Sequence, residues 1–167
     1  MRYFATISTA VVLVLFSSAG LAGKPLKVGE PAPDWILTDG QGQNISFYHD
    51  SADQQAVILF WATWCPRCAE LMPQLKTIQE EFKQVAVKFY ALNVWEDGDA
   101  IQFMADHNYD FTLLLDADLV AKRYNIKGTP GLLVVDKDKI IRYIHFKVTS
   151  AKDAATHVRQ ALLENNK

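Results

Sequence analysis

The chain holds two cysteines, Cys65 and Cys68, inside Trp64-Cys65-Pro66-Arg67-Cys68. A bridge between residues this close removes little chain entropy from the unfolded state. It is therefore a poor staple, and its use is chemical. A cysteine pair at this spacing exchanges disulfides: one thiolate attacks a partner's disulfide and the second sulfur resolves the mixed disulfide. In the reverse direction the oxidised pair accepts electrons from a partner dithiol. Other sulfur chemistry fits less well. Zinc needs four ligands, whereas His49, His107, His145 and His157 are scattered and no second cysteine pair exists. Covalent haem attachment needs histidine directly after the second cysteine, and Ala69 stands there.

The elements around the pair support that chemistry. Ala56 to Trp61 is a continuous apolar run, the pattern of a strand buried on both faces. Leu71, Leu75, Ile78 and Phe82 then recur at helical spacing. They predict a helix starting near Cys65 or Pro66, with Pro66 suited to its first turn and a kink at Pro73. The sulfurs then sit at a helix N-terminus, where partial positive charge and unpaired N–H groups stabilise a thiolate. The pKa of Cys65 is expected to fall below the free value of about 8.5. Arg67 pushes the same way. Cys65 is the expected nucleophile and Cys68 the expected resolving thiol.

The rest of the chain reads as strands alternating with helices. Lys24 to Pro33 is a connector with Pro and Gly. Trp35 to Leu37 and Ile45 to Phe47 flank a turn-rich spacer and predict a small hairpin. Val85 to Val94 predicts a strand. A helix follows from Asp97-Gly98-Asp99 to about His107, with Ile101, Phe103, Met104 and Ala105 inward or partly so. Phe111 to Leu115 is a short strand and Asp118 to Tyr124 a short helix. Gly131 to Val135 and Ile140 to Phe146 form a hairpin, and Ser150 caps a last helix to Leu163. This order predicts an α/β fold with a mixed sheet covered on both faces, in one domain over residues 23–167. Trp64 is expected on an exposed apolar rim, whereas Trp35, Trp61 and Trp95 are expected as packing.

Residues 1–22 read as a targeting segment. Arg2 precedes an apolar run from Ile7 to Phe16, and small residues follow to Ala22. This is the layout of a secretory signal cleaved after Ala22 or Ala19. The alternative is an uncleaved anchor, because residues 4–22 approach the roughly 20 needed to span a bilayer. A lipoprotein is excluded, since no cysteine lies near residue 20. The expected location is exported and periplasmic, or tethered to the inner membrane and facing the periplasm. Such an anchor would be the chain's sole link to a membrane. The formal net charge of -2 lacks the basic excess of a phosphate-binding surface, so nucleic acid is excluded as the main partner.

Three segments together carry a family resemblance. Phe60 to Cys68 closely resembles the active-site segment of thioredoxin-like proteins. Gly29-Glu30-Pro31-Ala32-Pro33-Asp34-Trp35, with Leu37, Asp39 and Gly42, resembles the lead-in of the exported TlpA/ResA branch, some of whose members serve cytochrome c maturation. Gly128-Thr129-Pro130 is similar to the family's cis-proline loop. The resemblance runs from Val28 to the C-terminus. It implies a thioredoxin fold: a mixed central β-sheet flanked by helices, with an N-terminal β-hairpin extension and an inserted helix. It also implies a thiol–disulfide oxidoreductase with no cofactor beyond a redox-active Cys65–Cys68 disulfide. Its partners would be exported protein thiols and disulfides, together with a membrane electron donor. Pro130 would lie cis against the disulfide, with the Thr129 backbone pairing an extended substrate strand. Trp64, Pro66 and Arg67 would shape the site.

The departures from the family are specific. Leu59 stands where many thioredoxins carry a buried Asp, and Leu71 where the branch often carries Glu. Glu70 is one position earlier, about 100° around the helix. Glu70 and Glu96 are the candidate proton carriers for Cys68. A reductant is the leading reading. The alternatives are a dithiol oxidase that introduces disulfides, or a redox-inactive binding module. Pro66 and Arg67 help set the reduction potential that separates the first two. A peroxiredoxin site needs Pro-x-x-x-Thr-x-x-Cys, and Ile58 and Ala62 occupy those places.

Overall fold

The computed structural model describes residues 25–146 and 148–165. The expected signal or anchor, residues 1–22, lies outside the described residues. An N-terminal hairpin of β1 (Ile36–Thr38) and β2 (Asn44–Ser46) leads into a one-turn helix, α1 (Phe47–Asp50). Then come β3 (Gln55–Trp61), α2 (Pro66–Glu81), β4 (Val87–Asn93), α3 (Ala100–Asp106), β5 (Thr112–Leu114) and α4 (Asp118–Arg123). The chain finishes with β6 (Gly131–Val135), β7 (Ile141–His145) and α5 (Ala151–Glu164).

Five strands form one mixed sheet in the order β5-β4-β3-β6-β7. β3, β4 and β5 run parallel, while β6 is antiparallel to β3 and to β7. All seven residues of β3 are buried, as a central strand covered on both faces requires. Alternation splits its side chains between two cores. Val57, Leu59 and Trp61 join the residues of α2, α3 and α5, while Ala56, Ile58 and Phe60 join Trp35, Phe47 and α4.

Register brings the site together. Trp61 at the end of β3 pairs with Asn93 at the end of β4, and Phe60 pairs with Gly131 at the start of β6. The loops that follow β3 and β4, and the loop that precedes β6, therefore meet at one end of the central strands. Ser150 caps α5, its hydroxyl accepting from the Asp153 amide.

The structure corrects several expectations. Phe47 opens the helix α1 instead of ending a strand, because the Asp34 carboxylate accepts from the Tyr48 amide and starts a helical turn there. Pro73 lies inside the helix α2, at the position where the sequence predicts a kink. Asp99 caps α3 and fixes its phase, so that Ala100 and Met104 turn inward while Ile101 and Ala105 are exposed. Among the described residues, no helix is long and apolar enough to cross a membrane.

Candidate active site

Cys65 is the N-cap of α2, with extended backbone (φ -86°, ψ 105°), and Pro66 takes the first helical position. The cap is made by sulfur: the Cys68 amide donates to Cys65 Sγ at 3.2 Å. The Cys65 carbonyl accepts from the amides of Cys68 and Ala69. The two cysteines form a disulfide with their Cα atoms 5.3 Å apart. Both are buried, Cys65 at 3% exposure and Cys68 at 1%. An N–H aimed at Cys65 Sγ favours a thiolate there when the bridge is open. Cys68 lies on the buried side of the helix, in the same apolar cluster as Leu59 and Leu71. Leu59 and Leu71 are the two positions at which the family resemblance leads to the expectation of an acid.

Pro66 and Arg67 face solvent. Arg67 Nη1 donates to Glu70 Oε2 at 2.8 Å, with both side chains more than half exposed. Glu70 is therefore on the outer face of the helix, joined to Arg67, while Leu71 turns into the core. The Thr129–Pro130 peptide bond is cis, and Pro130 is buried at the end of the central strands where Cys65 begins α2. Thr129 Oγ1 is buried without a hydrogen-bond partner among the described residues. Beside it, Lys127, Gly128, Phe146 and Val148 line a groove of about 340 Å³.

Glu96 lies in the loop after β4, and its carboxylate gathers five donors. Oε1 accepts from Thr63 Oγ1 at 2.5 Å and from the amides of Asp97 and Gly98, each at 3.0 Å. Oε2 accepts from the Thr63 amide at 2.9 Å and from Asn93 Nδ2 at 2.5 Å. Burial pushes the Glu96 pKa up, but the hydrogen bonds from Thr63, Asn93 and Gly98 outweigh it and hold the group down at about 2. Trp64 Nε1 donates to the Trp95 carbonyl at 2.8 Å. Trp95, expected as packing, is instead 39% exposed beside Trp64 at 48%. Its backbone is left-handed, with φ +50°, which turns the chain outward as β4 ends. Trp35 and Trp61 are buried. Sequence reasoning passed over Thr63, Asn93 and Gly98 as functional residues; the Asp97-Gly98 turn signal was the one local clue to a tight loop.

The family match spans residues 28–144. The chain belongs to the AhpC/TSA family. This AhpC/TSA chain is 27% identical over 160 residues to the thiol-disulfide oxidoreductase ResA of Geobacillus kaustophilus, covering 90% of this chain and 91% of that protein. A Chlorobium tepidum protein assigned as thiol:disulfide interchange protein DsbE superposes with a TM-score of 0.75 at 25% identity, over 85% of this chain and 99% of that one. Peroxidoxin BcpB of Mycobacterium tuberculosis shares the fold, with a TM-score of 0.74 at 20% identity over 83% and 97% of the two chains. The thioredoxin fold expected from the sequence therefore holds. Within the AhpC/TSA frame, this chain keeps Ile58 and Ala62 where a peroxidatic site needs Pro and Thr.

Proposed function

We propose that this chain is an exported thiol–disulfide oxidoreductase that reduces disulfides in periplasmic proteins. The observation that carries this reading is a cysteine pair at disulfide distance on a helix N-terminus, at the end of a fully buried strand. The relatives named thiol-disulfide oxidoreductase support it. In the reduced form, Cys65 Sγ attacks one sulfur of the partner's disulfide. That S–S bond breaks, and the partner's leaving thiolate takes a proton from water. Cys68 then attacks Cys65 Sγ as a thiolate, the Cys65–partner S–S bond breaks, the Cys68 proton passes through water to the departing partner sulfur, and the Cys65–Cys68 disulfide closes. The partner gains two electrons, and a membrane donor of dithiol type returns two to this chain. No cofactor beyond the sulfur pair is needed.

Arg67 bears on the direction of electron flow. A cation beside Cys65 stabilises the thiolate and makes the pair more oxidising. Here Arg67 is exposed and satisfied by Glu70, so that push is weak. This supports a reductant over a dithiol oxidase. Glu96 is held ionised with its pKa down at about 2, so it is a weak base for the Cys68 proton, and Glu70 lies on the exposed face of α2, joined to Arg67. An exported apocytochrome c with its haem-binding thiols oxidised is the first substrate to try, given the resemblance of the lead-in and active-site segments to the TlpA/ResA branch.

The test is a trap. Cys68→Ala leaves Cys65 unable to resolve, so a mixed disulfide with the natural partner accumulates and is released by reductant. Failure to capture any partner, together with an unmodified protein that neither reduces nor oxidises a model disulfide, overturns the reading. A reduction potential in the oxidising range of about -120 mV, instead of near about -200 mV or below, moves it to the oxidase.

A further inference from the structure

Resting on the oxidoreductase reading above, we infer that Glu96 is a positioning residue: its carboxylate locks the loop after β4 to Thr63, two residues before Cys65, and so holds Trp64 and Trp95 as a fixed apolar platform for a protein substrate. A carboxylate offers about four lone-pair sites, and five donors converge on this one. Three of them come from its own loop and the end of its own strand; the other two are the amide and hydroxyl of Thr63. One side chain thus joins the segment that leads to the nucleophile to the segment that follows β4.

Trp64 is consequently held at two points. Its backbone follows directly from the clamped Thr63, and its indole N–H is taken by the Trp95 carbonyl. Trp95 is held in turn: its amide donates to Asp118 at the start of α4, and the residue after it is Glu96. Its left-handed backbone is uncommon for a bulky residue and persists where surrounding contacts fix it. The junction is also too tight for a side chain at position 98. A Cβ there would meet Thr63 Oγ1 at 2.6 Å and Glu96 Oε1 at 3.4 Å. Both indoles remain exposed after these contacts are made, next to the buried sulfur that must reach a partner's disulfide. A protein substrate rests on that platform, whereas a small disulfide reaches Cys65 without it.

Glu96→Gln keeps the shape but turns an N–H₂ toward donors, so it separates the clamp from mere bulk. Steady-state reduction of insulin is compared with reduction of hydroxyethyl disulfide, each across pH 5 to 9. The expected result is a KM for insulin raised about tenfold, with hydroxyethyl disulfide turnover reduced no more than about twofold. The inflections of the pH profile stay where they are in the unmodified protein. Equal losses on both substrates, or a displaced pH profile, mean that Glu96 acts on the sulfur proton and overturn the inference. An unchanged KM overturns it as well. Should Glu96→Gln not fold, Thr63→Val decides: it keeps the carboxylate and four of its donors, and must show the same selective rise in KM, smaller in size. An unmodified protein inactive on both substrates defeats the oxidoreductase reading itself, which a selective failure of the variants does not.

Discussion

Two sulfurs three residues apart meet unlike surroundings. Cys65 Sγ receives an amide at the mouth of α2, whereas Cys68 is buried in the same apolar cluster as Leu59 and Leu71. The chemistry of the pair is therefore set by the helix end and by burial, with little help from neighbouring charge. Arg67 is the cation nearest in sequence, yet it is exposed and shared with Glu70. Arg67→Ala should accordingly shift the reduction potential by less than about 15 mV, half of the roughly 30 mV that corresponds to a tenfold change in the redox equilibrium. Equilibration with a glutathione series measures this, and a fall of about 30 mV or more would show that Arg67 does stabilise the thiolate. Cys65, Cys68 and the exposed Trp64 were legible in the sequence because their spacing within one short segment carries the meaning. The partnership of Thr63 with Glu96 was not, since the two are 33 residues apart and neither has a local signature.

At the scale of elements, that partnership follows from two parallel strands ending level. Trp61 pairs with Asn93, so residues just beyond each strand emerge side by side. The joint has a consequence in acid. The Glu96 pKa is lowered from 4.5 to about 2 in the folded chain. Its stabilisation is therefore complete above about pH 4.5 and is lost as pH falls toward 2. Urea unfolding across this window should show stability falling more steeply for the unmodified protein than for Glu96→Gln. Equal slopes would mean that the carboxylate is not held as described. Elements with a long period were legible: Leu71, Leu75 and Ile78 on α2 are buried as their spacing requires. α1 was not, because four residues are too few to show a helical period. Ile101 was misplaced for a related reason: α3 has two turns, and its phase depends on the Asp99 cap more than on its apolar residues.

For the whole molecule, the connector and hairpin before β3 are part of the fold and close the second core. Trp35 is 3% exposed and stacks on Phe47 at 5.0 Å between ring centres, with Tyr90 edge-on at 5.4 Å. Trp35→Ala should cost about 3–5 kcal/mol of stability, measured by denaturant unfolding. A loss below about 1 kcal/mol, the range of ordinary surface changes, would show that the segment is an appendage. The mixed sheet and its two covered faces could be read from the alternation of strands and helices. The path of the connector could not, because most of its partners lie far away in sequence, as Ile141 does from Gly29.

That path touches both margins of the sheet. Pro31 bridges to Ile140 just before β7, and Asp39 bridges to Leu114 in β5. Further amide bonds join Gly29 to Ile141 and Leu115 to Thr38. β7 and β5 are the two outermost strands, and unpaired outer strands invite pairing with another chain. One continuous N-terminal segment occupies part of each, so the same residues that seal the core also guard against aggregation. A chain nicked within residues 29–39 would expose two sticky margins at once, and its first symptom would be self-association, ahead of any loss of sulfur chemistry.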